Sequence, residues 1–66
     1  MDVSKSIKIA LVHSGHNQKW LAAEMGVSDA HVSDISRGNR SISMQKLKHI
    51  SSIFNYKVSE FIALGE

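Results

Sequence analysis

Residues 17–38 read NQKWLAAEMGVSDAHVSDISRG, and this stretch decides the fold. Asn17 stands where its side-chain oxygen can accept a free backbone N–H from the first turn of a helix. That helix runs from Gln18 to Met25, with Leu21, Ala22 and Met25 turned inward. Gly26 follows at once, at a place where a left-handed backbone is needed to stop a helix and only glycine adopts it cheaply. Val27 points back inside. Ser28 caps a second helix, Asp29 to about Ser36, whose acidic first residue suits the positive end of the helix dipole and whose buried face is Val32 and Ile35. Ala22 is small enough for the two helices to cross closely. Leu21, Val27, Val32 and Ile35 anchor the unit before, within and after the turn.

Outward from this unit the chain reads as helix throughout. Toward the N-terminus, Ile7, Ala10, Leu11 and Ser14 fall at i, i+3, i+4 and i+7 in a helix from Val3 to Ser14, which Gly15 ends. Toward the C-terminus, Arg37-Gly38-Asn39-Arg40 is a polar loop, and Ser43 caps a helix to about Phe54 with Leu47, Ile50 and Phe54 inward. Asn55 and Tyr56 break it. Val58 to Leu64 forms a short last helix with Phe61 and Ile62 on one side, although YKVSEFIAL also admits an edge strand. The expectation is an all-α, compact five-helix domain spanning residues 1–66.

Composition narrows what such a domain can do. A chain of 66 residues buries only about 60% of its unfolded surface, which leaves little room for an enclosed active site. The 42% apolar content, spread along the whole chain, argues for a folded globule. No cysteine is present, so packing alone must hold the fold, which suits a reducing cytoplasm. Lysine interrupts the only N-terminal apolar patch and no signal-cleavage pattern follows. No apolar run reaches membrane-spanning length. His13 and His16 have Gly15 between them and no carboxylate or thiol beside them, so neither a metal nor another cofactor is expected. No nucleophile–base pair or phosphate-cradling loop suggests an enzyme. The formal charge is only +2, but between Ile35 and Ser59 lie five cations (Arg37, Arg40, Lys46, Lys48, Lys57) and no acid, a candidate footprint for phosphates.

Two short helices joined by a glycine-containing turn are the signature of the helix-turn-helix, whose second helix enters the DNA major groove. The pattern Q-x-x-L-A-x-x-M-G-V-S-x-x-x-V-x-x-I-x-x-G, from Gln18 to Gly38, resembles the phage repressor and Cro helix-turn-helix family, the XRE type. The likeness extends more weakly over Ile7 to Gly15 and Leu47 to Ile62. It implies a lambda-repressor-like fold and a sequence-specific, double-stranded DNA-binding regulator, a small repressor that acts as a homodimer on a palindromic operator in a bacterial cytoplasm. By resemblance, Ser28, Asp29, Ala30, Ser33 and Asp34 are expected to reach base edges. Gln18, Arg37, Asn39, Arg40 and Lys46 are expected at the DNA backbone. Phe61, Ile62 and Leu64 are expected to pair two copies.

The departures from that pattern leave alternatives open. Asp29 and Asp34 sit on the face that would look into the groove, where a carboxylate is repelled by phosphate yet can accept a hydrogen bond from cytosine N4. Asp29 serves equally well as dipole compensation. Ala30 can meet a thymine methyl or be a default helix residue. His31 is offset from the groove face and reads as solvated, whereas His16 stands at a usually apolar place and reads as partly buried. Leu11 and Ser36 occupy positions where relatives often pair an arginine with a glutamate. Ile9, Val12 and Trp20 fall off the core stripes, so they either pack under the termini or form a patch for a protein partner. With that patch comes a second reading, a protein-binding module of the antirepressor or antitoxin type.

Overall fold

The computed structural model describes residues 3–39 and 41–66. Five helices follow in order: α1 (Val3–Ser14), α2 (Gln18–Met25), α3 (Asp29–Ser36), α4 (Met44–Ile53) and α5 (Val58–Leu64). Among the described residues there is no strand, and the 58–64 segment is helical. The contacts close a ring: α1 lies against α3 and α5, α2 against α3 and α4, and α4 against α5. Every helix thus has two neighbours to bury its apolar stripe.

The core at the centre of the ring is Ile7, Ala10, Leu11, Leu21, Ala22, Val32, Ile35, Leu47, Ile50 and Phe61. All of them lie on the stripes that periodicity assigns, but the stripe of α1 is displaced by one turn. Ser14 is exposed and its hydroxyl donates to the Leu11 carbonyl (3.1 Å), while Ser6, one turn before Ala10, is fully buried. The buried stripe of α1 therefore ends at Leu11. Ser36 and Ser51 are also buried, and the Ser51 hydroxyl donates to the Leu47 carbonyl four residues back (2.8 Å). No described buried side-chain polar atom lacks a partner, as a core this small requires.

Helix ends are made by local chemistry. Ser43 Oγ accepts the Lys46 N–H (3.3 Å) and starts α4. Asn55, at φ 62°, ends it: its N–H donates to the Ser52 carbonyl and the Tyr56 N–H to the Ser51 carbonyl. Asparagine is the residue after glycine best able to hold that left-handed position. At α5 the N-cap is Lys57, which has no side-chain acceptor, and the Glu60 carboxylate reaches back to the Lys57 N–H (3.0 Å).

Phe61, expected with Ile62 and Leu64 to pair two copies, lies inside the domain. It has no exposed surface in the single chain, with the rings of Phe54 and Tyr56 at 6.2 and 6.3 Å. It is a core residue of the single chain, whereas Ile62 and Leu64 on the same helix are half-buried. Phe54 itself is half-buried at the C-cap of α4 rather than fully inside.

Candidate functional site

The α2–turn–α3 unit is built as its sequence dictates. Asn17, with extended backbone, accepts the Trp20 N–H on its side-chain oxygen (2.9 Å) and opens α2. Gly26 stops α2 at φ 70°; its N–H donates to the Ala23 carbonyl and the Val27 N–H to the Ala22 carbonyl, five residues back. This paired arrangement satisfies the last carbonyls of the helix and turns the chain through a right conformation for a second one. Ser28 Oγ then accepts the His31 N–H (3.2 Å) and opens α3. Beneath the turn, Leu21, Ala22, Val32 and Ile35 are buried. The angle between α2 and α3 is therefore locked by core packing and by two capped ends.

The outward side of α3 is graded in exposure. Asp29 and Ala30 at its N-terminal end and Arg37 just beyond its C-terminal end are exposed, while Ser33, Asp34 and His31 are half-buried. His31 is thus less solvated than the sequence suggests. Ser28 is exposed, and with one lone pair engaged in the cap its hydroxyl can still donate its proton and accept on the second lone pair. From Asp29 to Ser36 the helix carries two carboxylates and no lysine or arginine.

The cations lie after this helix in the chain. After α3, Gly38 takes φ 79° and donates to the Ile35 carbonyl, and Asn39 donates to the Asp34 carbonyl (2.9 Å), so the loop is a shaped helix end rather than an irregular link. A side chain at Gly38 would sit 3.8 Å from the Ser4 hydroxyl of α1, which shows how near the two helices come at this corner. Arg37, Asn39, Lys46, Lys48 and Lys57 are all exposed. The expected contact at Arg40 lies outside the described residues.

Gln18 is exposed at the first position of α2, and its side-chain Nε2 donates to Ser36 Oγ of α3 (3.1 Å). It is not an ordinary solvated residue. Ser36, 1% exposed, donates its own proton to the Ser33 carbonyl (3.0 Å). The sequence reading gave the buried face of α3 as Val32 and Ile35 without Ser36, and the serine's partner 18 residues away had no local signal. At Leu11, the other position of the missing salt bridge, the side chain packs in the core.

Of the aromatic residues before and within α2, His16 differs from expectation, and Trp20 takes the packed alternative. His16 is exposed, and its ring stacks on Trp20 at 3.7 Å and 8°. Trp20 in turn meets Phe54 of α4 at 5.6 Å, so it is partly buried and packed against the core. This removes Trp20 from any outward patch. Val12 (79% exposed) and half-buried Ile9 remain outside, and with Lys8 and His13 they line a shallow apolar depression of about 210 Å³ on α1. Among the described residues no cluster of histidines and carboxylates could hold a metal, and no helix is long and apolar enough to cross a membrane.

A family model described as helix-turn-helix matches residues 7–61, from the core isoleucine of α1 to the buried phenylalanine of α5. No curated protein and no solved structure matches the chain. The chain belongs to this helix-turn-helix family, the XRE type to which Cro and C1 proteins belong, and is accordingly a double-stranded DNA-binding transcription regulator.

Proposed function

We propose that this helix-turn-helix protein is a small Cro-like repressor that reads a palindromic operator as a homodimer in the cytoplasm of a bacterial host, on phage or prophage DNA. The observation that carries the reading is the rigid presentation of α3, with Asp29, Ala30 and Arg37 exposed on its outward side. Eight residues make a helix about 12 Å long, able to lie in a major groove about 12 Å wide. From that position Ser28, Asp29, Ala30, Ser33 and Asp34 are the base readers. A carboxylate there accepts from cytosine N4, and Ala30 meets a thymine methyl. Gln18, Arg37, Asn39, Arg40 and Lys46 hold the backbone and fix the register.

One α3 offers few base contacts, which favours two copies on half-sites about 34–36 Å apart. The domain measures 26 × 23 × 19 Å, so two copies fit side by side along one face of such a site. Ile62 and Leu64 are the contact residues of this proposal, because they retain surface where Phe61 does not. Occupancy of the operator would exclude polymerase. Selection of bound duplexes from a random library tests the reading: an enriched inverted repeat is expected, and an unenriched library overturns it. In the same selection Asp34→Ala is expected to relax one base position per half-site.

The apolar depression around Val12 favours a second reading, a protein partner held on α1. Salt separates the two. If Arg37, Arg40 and Lys46 of both copies each neutralise a phosphate, log K against log salt falls with a slope of about −5, whereas apolar docking on α1 is nearly insensitive to salt.

A further inference from the structure

We infer that Ser36 is a positioning residue for DNA binding, which acts by holding the Gln18 carboxamide in one orientation at the start of α2; the inference rests on the DNA reading above. A serine hydroxyl carries one proton, and that of Ser36 is committed to the Ser33 carbonyl at 3.0 Å. Toward Gln18 the oxygen can therefore only accept. The group that faces it at 3.1 Å must be the NH2 of the amide and not its carbonyl. A swap of the two amide ends would set carbonyl oxygen against a proton-less lone pair, so the chemistry of Ser36 fixes the end-to-end sense of Gln18.

The consequence lies at the other side of the amide. Nε2 has a second proton, and with the first anchored on a buried atom of α3 that donor is held on an exposed residue next to the free N–H groups of the first turn of α2. A freely rotating glutamine presents its donor and its acceptor to a phosphate equally, and the acceptor is repelled. Ser36 removes the wrong half of those states and some of the rotamer entropy that ordering a glutamine would cost on binding. It also ties the base-reading helix to the phosphate-contacting one. Relatives with an acid at this place can tie α3 to α1; this chain, with Leu11 in the core, ties α3 to α2.

A double-mutant cycle on a duplex taken from the selection separates positioning from mere folding. Affinity is measured at fixed salt for wild type, Gln18→Ala, Ser36→Ala and the double variant, with urea denaturation of each protein alongside. Loss of a hydrogen bond to a charged oxygen is expected to make Gln18→Ala weaker by about tenfold. Ser36→Ala is expected to lose about threefold to tenfold in the wild-type background and nothing further in the Gln18→Ala background. Ser36→Thr, which keeps the hydroxyl, is expected to bind like wild type. Ser36→Cys, close in volume and a poor acceptor, replaces the alanine variant if the latter does not fold. Equal weakening by the position-36 change in both backgrounds, or no weakening in a folded variant, overturns the inference while the DNA reading stands. A wild type that enriches no duplex overturns the DNA reading and this inference together.

Discussion

Truncation of Phe61 distinguishes a core residue from an interface residue by experiment. The side chain has 0% exposure and rings within 6.2 and 6.3 Å on two sides, contributed by Phe54 and Tyr56. Phe61→Ala leaves a void where α5 meets the core, and such changes destabilise by about 3–5 kcal/mol. A 66-residue chain is stable by only about 3–10 kcal/mol, at roughly 0.05–0.15 kcal/mol per residue. The variant is therefore expected to lie near the edge of folding at 25 °C. With a urea dependence of about 1 kcal/mol per molar for a domain of this size, the midpoint falls by roughly 3 M or more. Circular dichroism during urea titration at two protein concentrations measures it. If Phe61 were instead a contact between copies, the monomer would keep its spectrum and its midpoint, and only sedimentation would change. A midpoint within about 0.5 M of wild type, well inside the cost of any buried phenylalanine, would refute the placement of Phe61 in the core.

Three further perturbations test the site. Gly26→Ala adds a Cβ that meets nothing within 4 Å, but at φ +70°; only the left-handed backbone is penalised, so the loss should be about 1–2 kcal/mol and Gly26→Asn should lose less, by thermal denaturation. Asn17→Ala removes the acceptor of the Trp20 N–H and should cost about 1 kcal/mol, with the indole emission of Trp20 shifting as the His16 stack loosens. Lys46→Ala, at an exposed position, should weaken binding to all duplexes alike and reduce the salt slope by about 1 per copy; a change confined to one base position would mean that Lys46 reads sequence instead.

Local chemistry was legible in the sequence, and long-range choice was not. Asn17, Gly26, Ser28 and Ser43 act on backbone groups within a few residues, so residue type alone placed three helix starts and one stop where the structure has them. Asn55 is of the same kind, since a break after Phe54 was expected and its positive φ supplies it. Lys57 cannot cap with its side chain, and the reciprocal acceptor Glu60 had to be sought three residues on. Periodicity put Phe61 and Ile62 on one side of α5 but could not say which of them the other helices cover. It gives α1 a stripe without its limits, so it includes exposed Ser14 and omits buried Ser6. The His16–Trp20 stack and the Gln18–Ser36 bond depend on how helices and turns meet in space. At the site, the order of residues along α3 was readable, whereas the sinking of Ser33 and Asp34 between exposed Asp29 and Arg37 was not.

The separation of charge between α3 and its flanks bears on how the proposed repressor would discriminate among sequences. Sequence-independent binding comes almost entirely from phosphate neutralisation. In this chain the exposed cations Arg37, Lys46, Lys48 and Lys57 lie outside α3, the proposed reading helix, and that helix carries Asp29 and Asp34. On any duplex, the carboxylates oppose the pull of the flanks. Where a cytosine N4 meets one of them, a hydrogen bond offsets that repulsion, and a good base contact is worth about 1–3 kcal/mol of discrimination. The acids then raise the ratio of specific to non-specific affinity chiefly by lowering the second term. A cation in their place would tighten binding everywhere and select less. For a chain with one short reading helix per copy, repulsion at wrong sites is the more accessible route to selectivity, because it needs no additional contacts at the right one.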